Sequence, residues 1–185
     1  MKIIRVPAGD ISKIPRGRRS IRLKDYDYTR PGWYYVTVCT LHRVCNLGRI
    51  EDEKMILSEW GQIVSETWQW IPSRYPSVEL DDFVVMPNHL HGILIINPIF
   101  RRGDSRIAPT EGSKIKPLGR LIGAFKTVST KKINEMRETP GAVFWQRNYY
   151  EHIIRNQKDL DRIRAYIRNN PLQWALDKEN PEAVG

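Results

Sequence analysis

Residues 78–86, VELDDFVVM, and residues 89–96, HLHGILII, are two strand-like runs with only Pro87-Asn88 between them. Both runs are rich in β-branched and other apolar residues, which favour strands. Pro and Asn are typical turn residues, and so short a connection joins antiparallel neighbours. The stretch therefore predicts a β-hairpin.

The rest of the chain supplies strands and helices on either side of this hairpin. Residues 33–40 and residues 143–154 also have the composition of strands. The order strand, helix, strand, strand, helix, strand, helix predicts an α+β fold, an antiparallel sheet with helices on one face, as in ferredoxin-like and RNA-recognition folds. The three helices are predicted from apolar residues at helical spacing: Ser58 to Ile71 with Ser58 as N-cap, a helix from Leu118, and Asp159 to about Asn169.

Basic residues are concentrated in particular segments of the 185-residue chain. The net charge is +9, and residues 1–24 hold eight Lys or Arg and one Asp. Residues 98–117 are polar, basic and interrupted by Pro, Gly and Ser, which predicts a mobile loop. We expect a basic N-terminal arm (1–24), a domain over residues 25–175 and a C-terminal tail (176–185). The charge pattern indicates a polyanionic partner, with solvated surface charge as the alternative.

Composition excludes several classes of protein. Hydrophobic residues make up 41% and aromatic residues 10% of the chain, enough for a packed core. No apolar run reaches the roughly 18 residues that a membrane span needs, and the N-terminus lacks the apolar stretch of a signal peptide. The 2 cysteines cannot build a disulfide framework. We expect a soluble, cytoplasmic protein that does not bind membranes.

Two histidines in the second run of the hairpin are candidate metal ligands. Because side chains alternate along a strand, His89 and His91 point to the same side, with Cβ atoms roughly 6–7 Å apart. Two imidazoles at this spacing can share one metal ion. Leu90 between them points to the opposite face and into the core. The alternative is that both histidines are ordinary polar residues of a half-exposed strand.

The last predicted helix offers a reactive group and a further ligand. Tyr166 and Asn170 are four residues apart, so they project together from one helical face, at the border of its apolar side. A phenol has a pKa near 10 and is a weak nucleophile until it is activated. In the alternative interpretation, Tyr166 is a boundary aromatic residue and Asn170 caps the helix before Pro171.

Five blocks of the sequence resemble the REP-associated tyrosine transposases, bacterial relatives of the small single-tyrosine HUH transposases of insertion sequences. The combination of blocks is more specific than any one of them, and the resemblance runs from about residue 16 to residue 173. The blocks are RRSIRL (18–23), WYYVTVCT (33–40), VVMPNHLHG (84–92), FWQRNYYEHIIR (144–155) and YIRNNP (166–171).

This resemblance implies an enzyme that nicks and rejoins single-stranded DNA. It makes His89 and His91 the histidines of the HUH motif, which hold Mg²⁺ or Mn²⁺. It makes Asn170 the third ligand, where many relatives carry Gln, and an amide oxygen serves in either case. Tyr166 is then the nucleophile, which forms a 5′-phosphotyrosine link and frees a 3′-hydroxyl.

The resemblance also implies a partner and a place in the cell. The implied partner is single-stranded or hairpin DNA, a REP-like imperfect palindrome with a short single-stranded flank. The implied location is the bacterial cytoplasm, in association with the nucleoid. Insertion-sequence relatives are dimers that exchange their tyrosine helices, whereas the REP-associated branch includes monomers, so monomer and homodimer both stay open.

Basic residues of two segments are candidate DNA contacts. Lys126, on the helix from Leu118, is predicted to contact backbone phosphate, with a solvated helix face as an equal alternative. The arm is predicted to bind DNA through four arginines, Arg16, Arg18, Arg19 and Arg22.

Three residues of the block 144–155 compete for roles in the site. Tyr149 and Tyr150 are rival nucleophiles, but their alternation along a predicted strand favours packing. His152 lies in the same strand and is expected to be structural or to contact DNA rather than to bind metal.

Three functions compete at this point. The first is a metal-dependent transesterase acting on single-stranded DNA. The second is a non-catalytic module that recognises nucleic-acid hairpins, which would have no need of the His89, His91, Tyr166 and Asn170 set. The third is a HUH replication initiator or relaxase, and a chain of 185 residues argues against this class of larger proteins.

Overall fold

The computed structural model describes residues 27–28, 30–98, 115–181 and 183 of the chain. The predicted arm 1–24, with its four arginines, and most of the predicted loop 98–117 lie outside the described residues. In the part that is described, no helix combines the length and the apolar composition needed to cross a membrane.

Strands and helices alternate along the described chain much as the sequence predicts. Short 3₁₀ turns follow the first strand and the last helix, at Leu41–Arg43 and Pro171–Leu176. The elements are β1 (Gly32–Cys39), β2 (Gly48–Glu51), β3 (Lys54–Leu57), α1 (Glu59–Gln69), α2 (Ile71–Arg74), β4 (Val78–Met86), β5 (His89–Ile96), α3 (Leu118–Met136), β6 (Tyr150–Ile154) and α4 (Gln157–Asn169).

The main sheet has four antiparallel strands in the order β4-β5-β1-β6. β4 and β5 form the predicted hairpin, in which Met86 pairs with His89 across the turn. β5 also pairs with β1, and this register places Thr37 opposite His91. Both candidate histidines therefore lie on a central strand, β5, whereas β4 and β6 form the edges.

One face of the sheet packs against α1 and α3. Its core includes Val36 and Leu90 of the central strands, together with Phe125 of α3. Gly92 of β5 lies against the Trp68 ring of α1, and a Cβ atom at position 92 would be 2.6 Å from Trp68 Cζ2. This close approach of helix and sheet therefore requires glycine.

The opposite face of the sheet is covered by α4. Leu160, Ile163 and Ile167 of this helix pack in one cluster with Tyr35 and Ile93 of the sheet. The α+β class and the antiparallel sheet are confirmed, but the predicted placement of helices on one face applies to α1 and α3 alone among the long helices. The physical reason lies in β5, where seven of the eight residues are buried, so both faces of the strand need a cover.

Side-chain caps define where two of the helices begin. The Ser58 hydroxyl accepts a hydrogen bond from the Gly61 N–H at 3.1 Å, which confirms the predicted N-cap of α1. Asn156 caps α4 in the same way through the Asp159 N–H at 2.9 Å. α4 therefore begins two residues earlier than the sequence pattern predicts.

A second, two-stranded sheet formed by β2 and β3 is absent from the sequence prediction. Its two-residue turn is Asp52-Glu53, and both residues have positive φ, 47° and 63°. Such turns match the twist of a hairpin but usually carry Asn or Gly. The turn therefore lacks the residue types that would have predicted it.

Lys126 of α3 fastens the segment that leads into β6. Its ammonium group donates hydrogen bonds to the carbonyl oxygens of Gln146 at 2.8 Å and Asn148 at 2.9 Å, and lies 3.5 Å from that of Arg147. Burial lowers the pKa of Lys126 to about 8. These backbone groups are held by a side chain rather than by a neighbouring strand, so β6 is shorter than the predicted strand over residues 143–154.

Replacing Lys126 with Met should lower the free energy of unfolding by about 1–3 kcal/mol, because the Gln146 and Asn148 carbonyl groups lose their charged donor. Lys131→Met on the same helix is the matched control, since Lys131 is 77% exposed. We expect this control to stay within about 0.5 kcal/mol of the wild type. Urea unfolding followed by circular dichroism measures both, and equal effects of the two substitutions would contradict the anchoring role.

Candidate active site

His89 and His91 lie on the face of β5 that α4 covers. Both imidazoles are buried, and their Nε2 atoms are 2.9 Å apart. Leu90 between them is buried in the core on the opposite face, beside α1 and α3. The strand thus presents two convergent ring nitrogens at one point of the sheet.

The hydrogen bonds of Asn88 fix the tautomer of His89. The Asn88 amide nitrogen donates to the Glu179 carbonyl at 2.6 Å and to the Arg43 carbonyl at 3.1 Å. Its amide oxygen therefore faces His89 Nδ1, at 2.8 Å, and can only accept. Nδ1 of His89 carries the proton, and the Nε2 lone pair points toward His91.

Two hydroxyl groups of β1 orient His91. Its Nδ1 atom lies 2.8 Å from Tyr35 Oη and 2.9 Å from Thr37 Oγ1. The Tyr35 ring is also stacked on the imidazole, with ring centroids 5.6 Å apart. Because Nδ1 is occupied in this way, Nε2 is the nitrogen of His91 that faces the cluster.

Burial lowers the pKa of both imidazoles below the ordinary value. The neighbouring His89 lowers the pKa of His91 further, since two positive rings would repel each other. Both rings are therefore neutral near pH 7, which is the form that binds metal ions.

Asp177 brings a carboxylate to the two histidines. The ligand atoms of His89, His91 and Asp177 all lie within 4.8 Å of one another, and all three residues are buried. Asp177 directly follows the 3₁₀ turn after α4, and its Oδ1 accepts a hydrogen bond from the Glu179 N–H at 2.7 Å. It lies in the predicted C-terminal tail, and no sequence spacing indicated that this segment reaches the site.

Asn170 lies beside Asp177 at the end of α4. Its amide nitrogen donates to Asp177 Oδ2 at 3.1 Å. Its amide oxygen is buried and has no hydrogen-bond partner among the residues that the structure describes. A buried acceptor without a donor is costly, so a cation is the kind of group that this oxygen fits.

Tyr166 points from α4 toward the same cluster. Its hydroxyl oxygen is 3.4 Å from His91 Nε2, and the two rings are 5.2 Å apart between centroids. Burial raises the pKa of the Tyr166 phenol above its ordinary value, and the negative charge of Asp177 raises it further. The hydroxyl is therefore protonated near pH 7, next to the nitrogen pair.

The donor set fits a divalent cation. Two neutral imidazoles, a carboxylate and an amide oxygen are ligands that Mn²⁺ and related ions accept. The hydrogen bonds of the two rings with Asn88, Tyr35 and Thr37 orient them, as partners of metal-binding histidines commonly do.

The other candidates lie away from this cluster. The Tyr150 ring lies beside Tyr35, with centroids 6.1 Å apart, and the Tyr149 ring is 5.7 Å from Lys126 Nζ. His152 pairs with Asp159 at 2.7 Å. The structure therefore brings together His89, His91, Asn170 and Tyr166, adds Asp177, and leaves out Tyr149, Tyr150 and His152.

The structure describes only one of the five residues that are predicted to contact DNA. Arg16, Arg18, Arg19 and Arg22 lie outside the described residues. Lys126 lies within them, and its ammonium group is directed to backbone carbonyls of its own chain. Contact of Lys126 with phosphate would compete with these hydrogen bonds.

Comparison with known proteins places this chain among its relatives. No family model matches the sequence. An uncharacterised Haemophilus influenzae protein is 39% identical over 168 residues, which cover 87% of this chain and 92% of the relative. A second protein of that species, named "Putative REP-associated tyrosine transposase", is 24% identical over 147 residues, covering 80% of this chain and 74% of the relative.

The fold has a counterpart among solved structures. The structure of a REP-associated tyrosine transposase bound to a REP hairpin matches with a TM-score of 0.57 and 21% identity. The match covers 85% of this chain and 76% of that chain. The chain therefore shares the fold of this transposase, and the name of the second relative agrees with the blocks that the sequence carries.

Proposed function

We propose that the protein is a metal-dependent transposase that cleaves and rejoins single-stranded DNA at hairpin sequences of the REP type. The observation that carries this proposal is the convergence of the Tyr166 hydroxyl with the His89–His91 pair. The hairpin in the structure of the REP-associated relative supports this class of substrate. A module that only binds hairpins has no use for a half-buried tyrosine hydroxyl beside a candidate metal site.

Four residues would hold the cation, which we propose to be Mg²⁺ or Mn²⁺. His89 and His91 supply nitrogen ligands, Asp177 supplies a carboxylate, and the unpartnered oxygen of Asn170 supplies a fourth group. When bound, the ion polarises the scissile phosphate and offsets the charge that develops on it.

Tyr166 performs the covalent step of this reaction. Its phenolic oxygen gives up its proton to solvent water and attacks the phosphorus atom of a phosphodiester, and a new bond from phosphorus to that oxygen forms. The bond from phosphorus to the 3′ oxygen of the preceding nucleotide breaks, and that oxygen takes up a proton. The 5′ phosphate is then attached to Tyr166, and attack by a 3′-hydroxyl reverses the step and rejoins DNA.

Tyr166→Phe should abolish the covalent protein–DNA adduct while hairpin binding persists, because only the attacking oxygen is removed. Tyr150→Phe is the matched control and should retain the adduct. An oligonucleotide labelled at its 3′ end reports the adduct on a denaturing gel with Mn²⁺, since the 5′-phosphate fragment carries that label. An adduct that survives in Tyr166→Phe, or that maps to Tyr149 or Tyr150, would show that another tyrosine reacts.

Asp177→Asn and Asn170→Ala test the two oxygen ligands separately. We expect each change to weaken Mn²⁺ binding at least about 10-fold, since each removes a donor from the site. Titration calorimetry with Mn²⁺ measures this without DNA, and Asp161→Asn on the exposed side of α4 is the control. Unchanged affinity in one variant would remove that residue from the ligand set, and unchanged affinity in both would contradict the site.

Replacing Arg16, Arg18, Arg19 and Arg22 together with Gln should weaken hairpin binding and reduce its salt dependence. If all four contact phosphates, the slope of log affinity against log salt should fall by about 3 to 4. Arg49→Gln is a single-charge control, since this side chain is paired with Glu51. Fluorescence anisotropy at several salt concentrations measures the slope, and an unchanged slope would assign the affinity to other basic residues.

A further inference from the structure

Two ion pairs join α4 to the edge strand β4. Arg164 Nε donates to Asp81 Oδ1 at 3.0 Å, and Nη2 of the same side chain donates to Asp81 Oδ2 at 2.5 Å. One turn later, Arg168 Nε lies 2.7 Å from Asp82 Oδ2. Arg164 and Arg168 lie two residues before and two residues after Tyr166.

An irregularity in β4 allows both carboxylates to reach the helix. Consecutive residues of a regular strand point to opposite faces, so adjacent aspartates would be separated. Here Leu80 pairs with Leu94 and Phe83 pairs with Gly92, so the register shifts between them. The two aspartates between Leu80 and Phe83 thus lie in a β-bulge, the kind of feature that redirects side chains beside active sites.

The Asp81 pair is held more firmly than an ordinary surface ion pair. The Asp81 side chain is 10% exposed, and Arg164 binds it through two nitrogens. The Arg164 guanidinium also lies over the Trp33 ring, 5.7 Å from its centroid. The hydrogen bonds from Arg164 lower the pKa of Asp81, which keeps the carboxylate charged.

The two arginines and the tyrosine lie on opposite flanks of α4. At 3.6 residues per turn, the apolar side formed by Leu160, Ile163 and Ile167 faces the sheet. Arg164 and Arg168 lie about 80° and about 120° to one side of it. Tyr166 lies about 80° and its site neighbour Asn170 about 40° to the other side. A rotation of the helix about its own axis would therefore break the ion pairs and withdraw the tyrosine together.

We propose that Asp81 and Asp82, through Arg164 and Arg168, are positioning residues that set the rotation of α4 and so hold the Tyr166 hydroxyl at the histidine pair. The inference rests on the proposed function of Tyr166. Apolar packing is not directional, whereas a two-nitrogen arginine–carboxylate pair is. A rotation of about 20° moves a group about 6 Å from the helix axis by about 2 Å.

The double variant Asp81→Asn with Asp82→Asn tests the proposal through the rate of adduct formation. Misplacement by 1 Å can slow a reaction about 100-fold, so we expect the single-turnover rate of adduct formation at saturating DNA to fall at least about 10-fold. Hairpin affinity and Mn²⁺ affinity should change less than about 2-fold. Glu135→Gln, which removes the exposed Lys131–Glu135 pair of α3, is the control and should have the wild-type rate.

A charge exchange separates positioning from general stability. Asp81→Arg and Arg164→Asp alone should each lose adduct formation, and the two together should recover it, because the pair is restored in reverse. If the double Asn variant does not fold, Arg164→Lys combined with Arg168→Lys keeps both charges but removes the two-nitrogen geometry. We expect a loss of rate there as well, and a wild-type rate in a folded variant would overturn the proposal.

A spectroscopic measurement decides the proposal independently of activity. Fluorotyrosine incorporated into the protein gives a ¹⁹F signal for Tyr166, which is assigned by its loss in Tyr166→Phe. This signal should move toward that of an exposed tyrosine in the double Asn variant and return in the charge exchange. An unmoved signal would overturn the positioning role. If the signal moves in the variant but the wild-type protein itself forms no adduct, the result would contradict the proposed function alone.

Discussion

The alternation of side chains along β5 is the constraint on which the rest of the structure depends. It places His89 and His91 on one face and Leu90 on the other, within a single strand of the central sheet. A slip of one residue in the pairing would send both imidazoles into the apolar layer under α1 and α3. Pairing with β1 prevents this slip and brings the Tyr35 and Thr37 hydroxyls to His91. The same register thus determines the core and the site.

The site is a buried polar network whose members depend on one another. Asn88 connects the hairpin turn to the backbone at Glu179, and Asn170 connects α4 to Asp177. Groups in such a network are satisfied together, because a buried donor or acceptor that loses its partner costs free energy. The Glu179 side chain is paired with Arg43 at 2.9 Å, whereas Asp177 faces neutral side chains of the cluster. Its negative charge favours a cation, and a bound cation would in turn let a phosphodiester approach.

Local patterns in the sequence predicted most of the fold and much of the candidate site. The β4–β5 hairpin, the N-cap of α1 and the direction of the two histidines follow from short-range rules of composition and alternation. Asp177 could not be predicted, because its place depends on how the chain folds back after Pro171 rather than on any spacing. The position of α4 required knowing that both faces of the sheet are apolar and that α1 and α3 occupy one of them. The Asp52-Glu53 turn escaped prediction because the residues that form it are poor indicators of a hairpin.

The bulge in β4 makes the length of this strand a constraint separate from its composition. With one residue fewer between Leu80 and Phe83, regular alternation would resume and the remaining aspartate would be the only carboxylate at that point of the strand. With one residue more, the bulge would widen, and the register of Phe83 to Met86 on β5 would shift by a further residue relative to that of Leu80. Insertions and deletions in this short segment would therefore act at a distance, through the helix that carries the tyrosine. Homologous proteins that position the tyrosine in this way should preserve the spacing of β4 even where its apolar residues are exchanged.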